Sequence, residues 1–291
     1  MTYVEIFWSY LVADCDHRAF VLKAVGIEHV VAQSDARFIL LVPEQFAERA
    51  IEQLRSYDEE SRPKPPPPPL QLHRHAWIGS LVYAFLMLAI AYCAGANIGS
   101  QNWYEAGVLR HSAIAGSELW RIVTALTLHA DVGHILGNLA FGIPYGFFAA
   151  QLLGGGRAWL SILVAAACGN LFDSALMDAR QSSIGASTAV FAMLGIVGAY
   201  AWRRGQSRFN RWAHRAAPLI AAVALLAITG VGDESTDIVA HLAGFGFGIL
   251  TGTVQAHLRS KHLDRMSMQV LAGAVALMSV FGAWWWAHVA T

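Results

Sequence analysis

A serine within a run of small residues is the first candidate for chemistry. Ser187 follows Gly185 and Ala186, and residues this small allow a substrate to approach the backbone closely. The hydrophobic pattern places Ser187 in a first helical turn, where unpaired backbone N–H groups and the positive end of the helix dipole favour an oxyanion. The sequence leaves open that Ser187 only caps or packs a helix, because small residues are common in membrane helices.

A histidine further along the chain is the candidate base for this serine. His241 lies in a segment where Ala240, Gly244 and Gly248 repeat at intervals of four. Small residues at this spacing share one helix face and allow two membrane helices to touch. His241 borders that face, and an imidazole within hydrogen-bonding reach of a serine hydroxyl can take its proton. The alternative is a buried histidine bonded to a backbone carbonyl.

Two hydrogen-bond donors form the third element. His134 and Asn138 are four residues apart and therefore share one helix face. Together with the backbone N–H of Ser187, they could hold the negative oxygen of a tetrahedral intermediate, for which one such donor contributes about 2.7–4 kcal/mol. His129 precedes this helix, and a structural hydrogen bond is the role predicted for it.

Hydrophobic helices must position these residues. The 291-residue chain is 56% apolar and only 14% charged, whereas a soluble domain has about 25% charged residues. This composition excludes a wholly soluble enzyme, a disordered chain and a secreted mini-protein. The zero net charge gives no reason to expect a nucleic acid partner, and three scattered cysteines form neither a disulfide framework nor a zinc site. Stretches of membrane-spanning length are predicted at 76–95, 134–153, 157–177, 186–202, 216–232, 238–257 and 268–289.

The connecting loops predict the orientation of these spans. Basic residues join the fourth span to the fifth and the sixth to the seventh: Arg203, Arg204, Arg208, Arg211 and Arg215, then Arg259, Lys261 and Arg265. Basic loops stay cytoplasmic, so the N-terminus is predicted to be cytoplasmic, and the pattern fits a bacterial inner membrane. Spans two, four and six then begin on the outer side, which places His134, Ser187 and His241 at one depth just below the outer surface.

Residues 1–60 carry a large share of the charge and predict a small α+β module. Strands are expected at 4–8, 29–31 and 38–42, with helices at about 14–25 and from Pro43 to about Tyr57, in the order β-α-β-β-α. No catalytic set is found there, and a protein-partner or regulatory site is the default interpretation. Residues 61–75 include five consecutive prolines and predict a semi-rigid linker.

The motifs together resemble a rhomboid intramembrane serine protease. The motifs that carry the resemblance are Trp120-Arg121, then His129, His134 and Asn138, then Gly185-x-Ser187, then Ala240-His241-x-x-Gly244-x-x-x-Gly248. The resemblance implies an all-α polytopic membrane bundle with a six-helix core at 76–257. The loop and seventh helix at 258–291 are an addition to this core, and the cytoplasmic α+β module lies outside the motifs. It implies cleavage of single-pass or polytopic membrane proteins within the lipid bilayer, with no cofactor and no metal.

The resemblance also assigns roles to individual residues. Ser187 would be the nucleophile and His241 the general base of a dyad, while His134, Asn138 and the Ser187 N–H would form the oxyanion hole. Trp120 and Arg121 would anchor the first outer loop, Phe191 would stack on the histidine, and span five with the loop at 231–237 would gate substrate entry. Asp237 is assigned to that cap loop. Thr188 stands where the family often has glycine, and the sequence leaves open whether its branched side chain narrows the site.

Three other functions fit parts of the pattern. A transporter places polar residues on interrupted helices, but it usually shows internal repeats, and none is found here. A metal or haem site could use His129, His134 and His241, but the HExxH pattern and acidic or cysteine ligands at suitable spacing are missing. A catalytically silent rhomboid-like protein that binds transmembrane helices is the strongest alternative. Such relatives lose the serine or the histidine, and this chain keeps both.

Overall fold

The computed structural model divides the chain into two compact units, Met1–Pro66 and Pro67–Thr291. Residues 62–71 of the predicted proline-rich linker lie outside the residues described, as do most of the predicted fifth span and its following loop. The structure describes residues 2–61, 72–100, 102–176, 178, 181–203, 217, 220–224, 237–258 and 262–291.

The first unit is a three-stranded antiparallel sheet with two helices, which confirms the predicted α+β class. Its elements are β1 (Tyr3–Ser9), α1 (Val12–Ala24), β2 (Val30–Ser34), β3 (Arg37–Pro43) and α2 (Ala47–Ser61), and the strand order in the sheet is β1-β3-β2. The prediction that Pro43 opens the second helix was wrong. Pro43 pairs with Tyr3 as the last residue of β3, because its fixed φ also suits extended backbone. The helix begins only at Ala47, after a 3-10 turn.

The second unit is a helical membrane bundle, as predicted. Its long helices are α3 (Ala76–Gly95), α7 (Val132–Leu153), α8 (Gly155–Leu176), α9 (Ser187–Arg203), α10 (Ile238–His257) and α11 (Met266–Ala290). Its short elements are α4 (Trp103–Gly107), β4 (Leu109–Arg110), α5 (His111–Ala115), α6 (Arg121–Thr124) and β5 (Ser182–Ser183), with 3-10 turns at Ile98–Ser100 and Ala125–Thr127. In the described part of the chain, five helices are long and apolar enough to cross a membrane, namely all the long ones except α9.

The shorter helix α9, with 17 residues, is the centre of the bundle. Helices α7, α8 and α10 all pack against it, and Met193 and Ile196 on α9 are completely buried. Alanines make up half of the surrounding core cluster, and glycines of α8 and α10 lie against α9, so the helix backbones approach closely. This packing fixes the start of α9, where Ser187 lies.

Helix α11 packs against the loop between α3 and α7, which is the outer loop of the prediction. Trp285 is 71% exposed, but Trp284 is only 5% exposed. The Trp284 ring occupies space that Gly107 leaves open, and its Nε1–H donates to Thr127 Oγ1 at 3.0 Å. Trp284 therefore packs inside the protein because a glycine faces it, and the additional helix supports the loop beside the candidate site.

Candidate active site

Ser187 is the first residue of α9 and is half-buried. The first helical bond after it runs from the N–H of Val190 to the carbonyl of Ala186 at 2.9 Å. The amides of the first turn therefore have no partner inside the helix, and the helix dipole is positive at this end. The Ser187 hydroxyl and these amides together can face a reacting carbonyl group.

Gly185 creates the space in front of Ser187. Its φ is +127°, and its N–H donates to the carbonyl of Ala125 at 2.9 Å. A Cβ at this position would lie 2.6 Å from Nε2 of His134 and 3.7 Å from Oγ of Ser187. Both the backbone conformation and this contact require glycine. The imidazole of His134 and the hydroxyl of Ser187 consequently face the same small space.

Local contacts orient His134 within that space. Asp131 caps α7, and its carboxylate accepts from the N–H of His134 at 2.8 Å. The N–H of Ala130 points at Nδ1 of His134 at 3.5 Å, so Nδ1 is the acceptor and the ring proton is on Nε2. The nitrogen that faces Gly185 is therefore a hydrogen-bond donor.

His129 packs edge-on against His134, with ring centroids 5.2 Å apart. Burial lowers the pKa of His129 to about 4, and the neighbouring His134 adds to this effect. The His129 ring is thus neutral at pH 7, and its backbone carbonyl accepts a hydrogen bond from the hydroxyl of Tyr104. These contacts hold the segment that leads into α7.

Asn138 lies one turn after His134 and is 6% exposed. Its backbone carbonyl oxygen accepts a hydrogen bond from the hydroxyl of Tyr83 at 3.1 Å. Its side-chain Nδ2 is buried and has no partner among the described residues. An unpaired buried donor costs about 1–3 kcal/mol, and such a group in a native structure needs an explanation. A ligand oxygen that binds at this nitrogen would supply one.

His241 lies in the first turn of α10 and is 7% exposed. Its ring contacts the ring of Phe191, with centroids 4.5 Å apart and planes tilted by 42°. Asp237 is the N-cap of α10, because its carboxylate accepts from the N–H of Ala240 at 3.0 Å. The side chain of Asp237 thus stabilises the helix that carries His241.

The contact between α9 and α10 sets Ser187 and His241 at the same end of the two helices. Three glycines of α10 lie directly against three carbonyl groups of α9, with the pairs Gly244 to Thr188, Gly248 to Ala192 and Gly252 to Ile196. The constant spacing shows that the helices run parallel in register. Ser187 precedes the first pair on α9, and His241 lies one turn before it on α10. The Phe191–His241 contact, one turn after Ser187, agrees with this alignment.

Thr188 does not face the open space beside Gly185. Its methyl carbon Cγ2 lies against Gly169 of α8 and Gly244 of α10, each at 2.9 Å from the position of an added Cβ. The extra bulk of a β-branched residue is accommodated because glycine stands opposite on both neighbouring helices. Thr188 thus fills the helix contact, whereas the sequence left open whether it narrows the site. Gly252 continues the glycine repeat, a signal that the sequence analysis did not use.

Trp120 and Arg121 tie the outer loop together. The indole N–H of Trp120 donates to the carbonyl of Ala106 at 3.1 Å. The buried guanidinium of Arg121 donates to the carbonyls of Glu105 and Val108 at 2.9 and 2.7 Å. Strand β4 of this loop pairs with β5, which ends at Ser183, two residues before Gly185. The loop and the segment that carries the serine are therefore held as one structure.

Comparison with known families gives one match. Residues 116–258 match the family described as Rhomboid domain. This range includes His134, Asn138, Ser187 and His241, whereas Tyr83 of α3 and the loop residues at 104–110 precede it.

Curated proteins similar to the chain come from plants, apicomplexans and bacteria. "RHOMBOID-like protein 1" of Arabidopsis thaliana is 33% identical over 139 residues, which cover 47% of this chain and 34% of that protein. "Rhomboid-like protease 3" of Toxoplasma gondii is 29% identical over 47% of this chain and 52% of its own length. "Rhomboid protease GluP" of Bacillus subtilis (strain 168) is 25% identical over 65% of this chain and 33% of its own. The chain thus spans about a third to a half of the length of these relatives.

Proposed function

Since residues 116–258 are a Rhomboid domain, through which this chain belongs to the rhomboid family, we propose that it is an intramembrane serine endopeptidase. The observation that carries the proposal is the alignment of Ser187 and His241 at the tips of two helices in direct backbone contact. Two of the similar proteins are also named as proteases. The proposed substrates are single-pass or polytopic membrane proteins.

The reaction uses the Ser187 hydroxyl as nucleophile. As Oγ bonds to the scissile carbonyl carbon, the imidazole of His241 accepts the hydroxyl proton. His241 then gives that proton to the leaving amine when the C–N bond breaks, which leaves an acyl-enzyme. Water, deprotonated by the same imidazole, releases the new carboxyl terminus and restores the hydroxyl group.

Three donors would stabilise the negative oxygen of the tetrahedral intermediate. These are Nε2–H of His134, Nδ2–H of Asn138 and the backbone N–H of Ser187. The first faces the space beside Gly185, and the second is buried without a partner among the described residues. Donors fixed in place before the reaction need no reorganisation, which is why such groups accelerate acyl transfer strongly.

The geometry also constrains the substrate. A peptide bond inside a helix has its carbonyl occupied by a hydrogen bond, so the substrate helix must unwind before Ser187 can attack. We therefore expect cleavage sites with small residues and nearby helix-weakening glycine or proline.

We place the active site near the outer face of the membrane. The N-terminal module then lies in the cytoplasm, where we assign it to a protein partner or to regulation. A bacterial inner membrane remains a prediction of the loop charges, because the similar proteins come from several kingdoms.

A catalytically silent protein that binds transmembrane helices is the alternative function. A silent protein has no need for an unpaired buried amide at Asn138. This feature costs stability. Its presence beside Ser187 favours an active enzyme.

A fluorophosphonate probe tests the proposal directly, because it phosphonylates only an activated serine hydroxyl. We expect one label per chain in the wild type, and none in Ser187→Ala or His241→Ala. Labelling of Ser187→Ala would place the reactive group elsewhere. An unlabelled wild type that binds transmembrane peptides would support the silent alternative.

The oxyanion donor Asn138 gives a second prediction. Asn138→Ala should lower kcat by about 10²-fold with little change in KM, since the lost hydrogen bond forms only in the transition state. Asn170 is the matched control, because its amide Nδ2 already donates to the carbonyl of Ile122 at 3.0 Å. Asn170→Ala should lower the thermal midpoint but keep kcat. Equal effects of both variants on kcat would show that Asn138 does not act as an oxyanion donor.

A further inference from the structure

A deep apolar cavity of about 590 Å³ lies between α3 and α11, over α8 and the start of α9. Its walls include Val82 and Leu86 of α3, Leu163 of α8, and Val270 and Leu277 of α11. The proposed reaction uses none of these side chains. The cavity volume falls in the range of about 300–1,000 Å³ that is typical of ligand sites.

One end of the cavity is basic. His73, Arg74 and His75 line it beside the first residues of α3, α8 and α11. The segment is held there because the N–H of His73 donates to the carbonyl of Gln151 at 3.1 Å. Among the described residues, Arg74 forms no ion pair, whereas the nearby Asp264 is paired with Arg157 at 2.9 Å. The basic end therefore carries an available positive charge.

The length of the cavity fits a lipid acyl chain. The wall of α11 that faces the cavity runs from Met266 to Val280, which is about 20 Å at 1.5 Å per residue. This length reaches from one membrane interface past the middle of a hydrocarbon core about 30 Å thick. A single acyl chain is narrow enough to enter.

We propose that this cavity is a binding site for an anionic phospholipid, with its phosphate at Arg74 and one acyl chain between α3 and α11. Basic pockets between transmembrane helices on the cytoplasmic side recognise anionic headgroups, and the loop charges predict that this end is cytoplasmic. The apolar walls supply affinity, and the basic end selects the headgroup. The site does not depend on Ser187 and stands independently of the proposed protease activity.

The test compares two dioleoyl lipids, phosphatidylglycerol and phosphatidylcholine, by native mass spectrometry of the full-length protein released from detergent. We expect the first phosphatidylglycerol to bind at least fivefold more tightly than phosphatidylcholine, which is the contribution of about one basic residue. Arg74→Gln should remove this preference. Arg203→Gln is the matched control, because Arg203 lies at the end of α9 and does not line the cavity, and it should keep the preference.

A second pair of variants tests the acyl chain. Val82→Trp fills the cavity and should weaken binding of both lipids more than tenfold, since each excluded CH₂ group changes affinity about fourfold. The adjacent Leu81 is 58% exposed and does not line the cavity, so Leu81→Trp should bind lipid normally. Equal affinity of the wild type for both lipids would overturn the proposal. Equal effects of the two tryptophan variants, or displacement of the lipid by a transmembrane peptide, would do so as well.

Discussion

Ser187→Ala is expected to abolish cleavage of a transmembrane reporter substrate, with kcat/KM lower by about 10⁵-fold or more. Loss of the nucleophile removes the acyl-enzyme route altogether, and only background hydrolysis in the oxyanion site remains. The measurement is product formation in proteoliposomes that contain a panel of transmembrane substrates with small residues near the outer face. Cleavage at the wild-type rate would exclude Ser187 as the nucleophile.

The fold of this variant should be intact, so the loss can be assigned to chemistry. The Ser187 side chain is half-buried and only an oxygen atom is removed. Ser182→Ala is the matched control, because Ser182 is exposed and pairs with Arg110 through its backbone in β5. Both variants should unfold at the wild-type temperature, and Ser182→Ala should cleave normally. A large fall in the unfolding temperature of Ser187→Ala alone would point to a structural role for the hydroxyl.

The long helices could be predicted from the sequence because membrane thickness determines their length. The predicted spans 76–95 and 238–257 coincide with α3 and α10. The outer loop could not be predicted in the same way. Its short helices and the β4–β5 pair depend on bonds between distant segments, such as those from Arg121 to two backbone carbonyls. The local periodicity of hydrophobic residues does not predict such bonds.

The sequence was sufficient to predict that the three helix ends lie at a common level, but not the contacts within the candidate site. Because successive spans alternate in direction, the starts of the spans that carry His134, Ser187 and His241 were predicted to lie at one level. The repeat of small residues indicated which face of α10 touches another helix. The partner carbonyls on α9, the positive φ of Gly185 and the buried position of Trp284 are known only from the structure. Each depends on which side chain stands opposite, and one sequence does not contain this information.

The glycine contact between α9 and α10 leads to the second large effect. Gly244→Ala should lower kcat/KM by about 10³-fold. Its Cβ would lie 2.3 Å from the carbonyl oxygen of Thr188, and backbone on both sides prevents local relief. The helices must therefore separate by about 1 Å, a misplacement that by itself costs about 10²-fold. The same shift moves His241 relative to Ser187 and to the first-turn amides of α9, which adds to the loss.

Gly246→Ala is the control for this prediction. Gly246 lies on the same helix, and a Cβ added there meets no atom within 4 Å, so activity should be unchanged. Both substitutions raise helix propensity by the same amount, which leaves the contact with Thr188 as the difference between them. Fluorophosphonate labelling should slow in Gly244→Ala in parallel with cleavage, because both reactions need His241 beside the serine. Normal labelling and cleavage in Gly244→Ala would show that the register of α9 and α10 does not set the catalytic geometry.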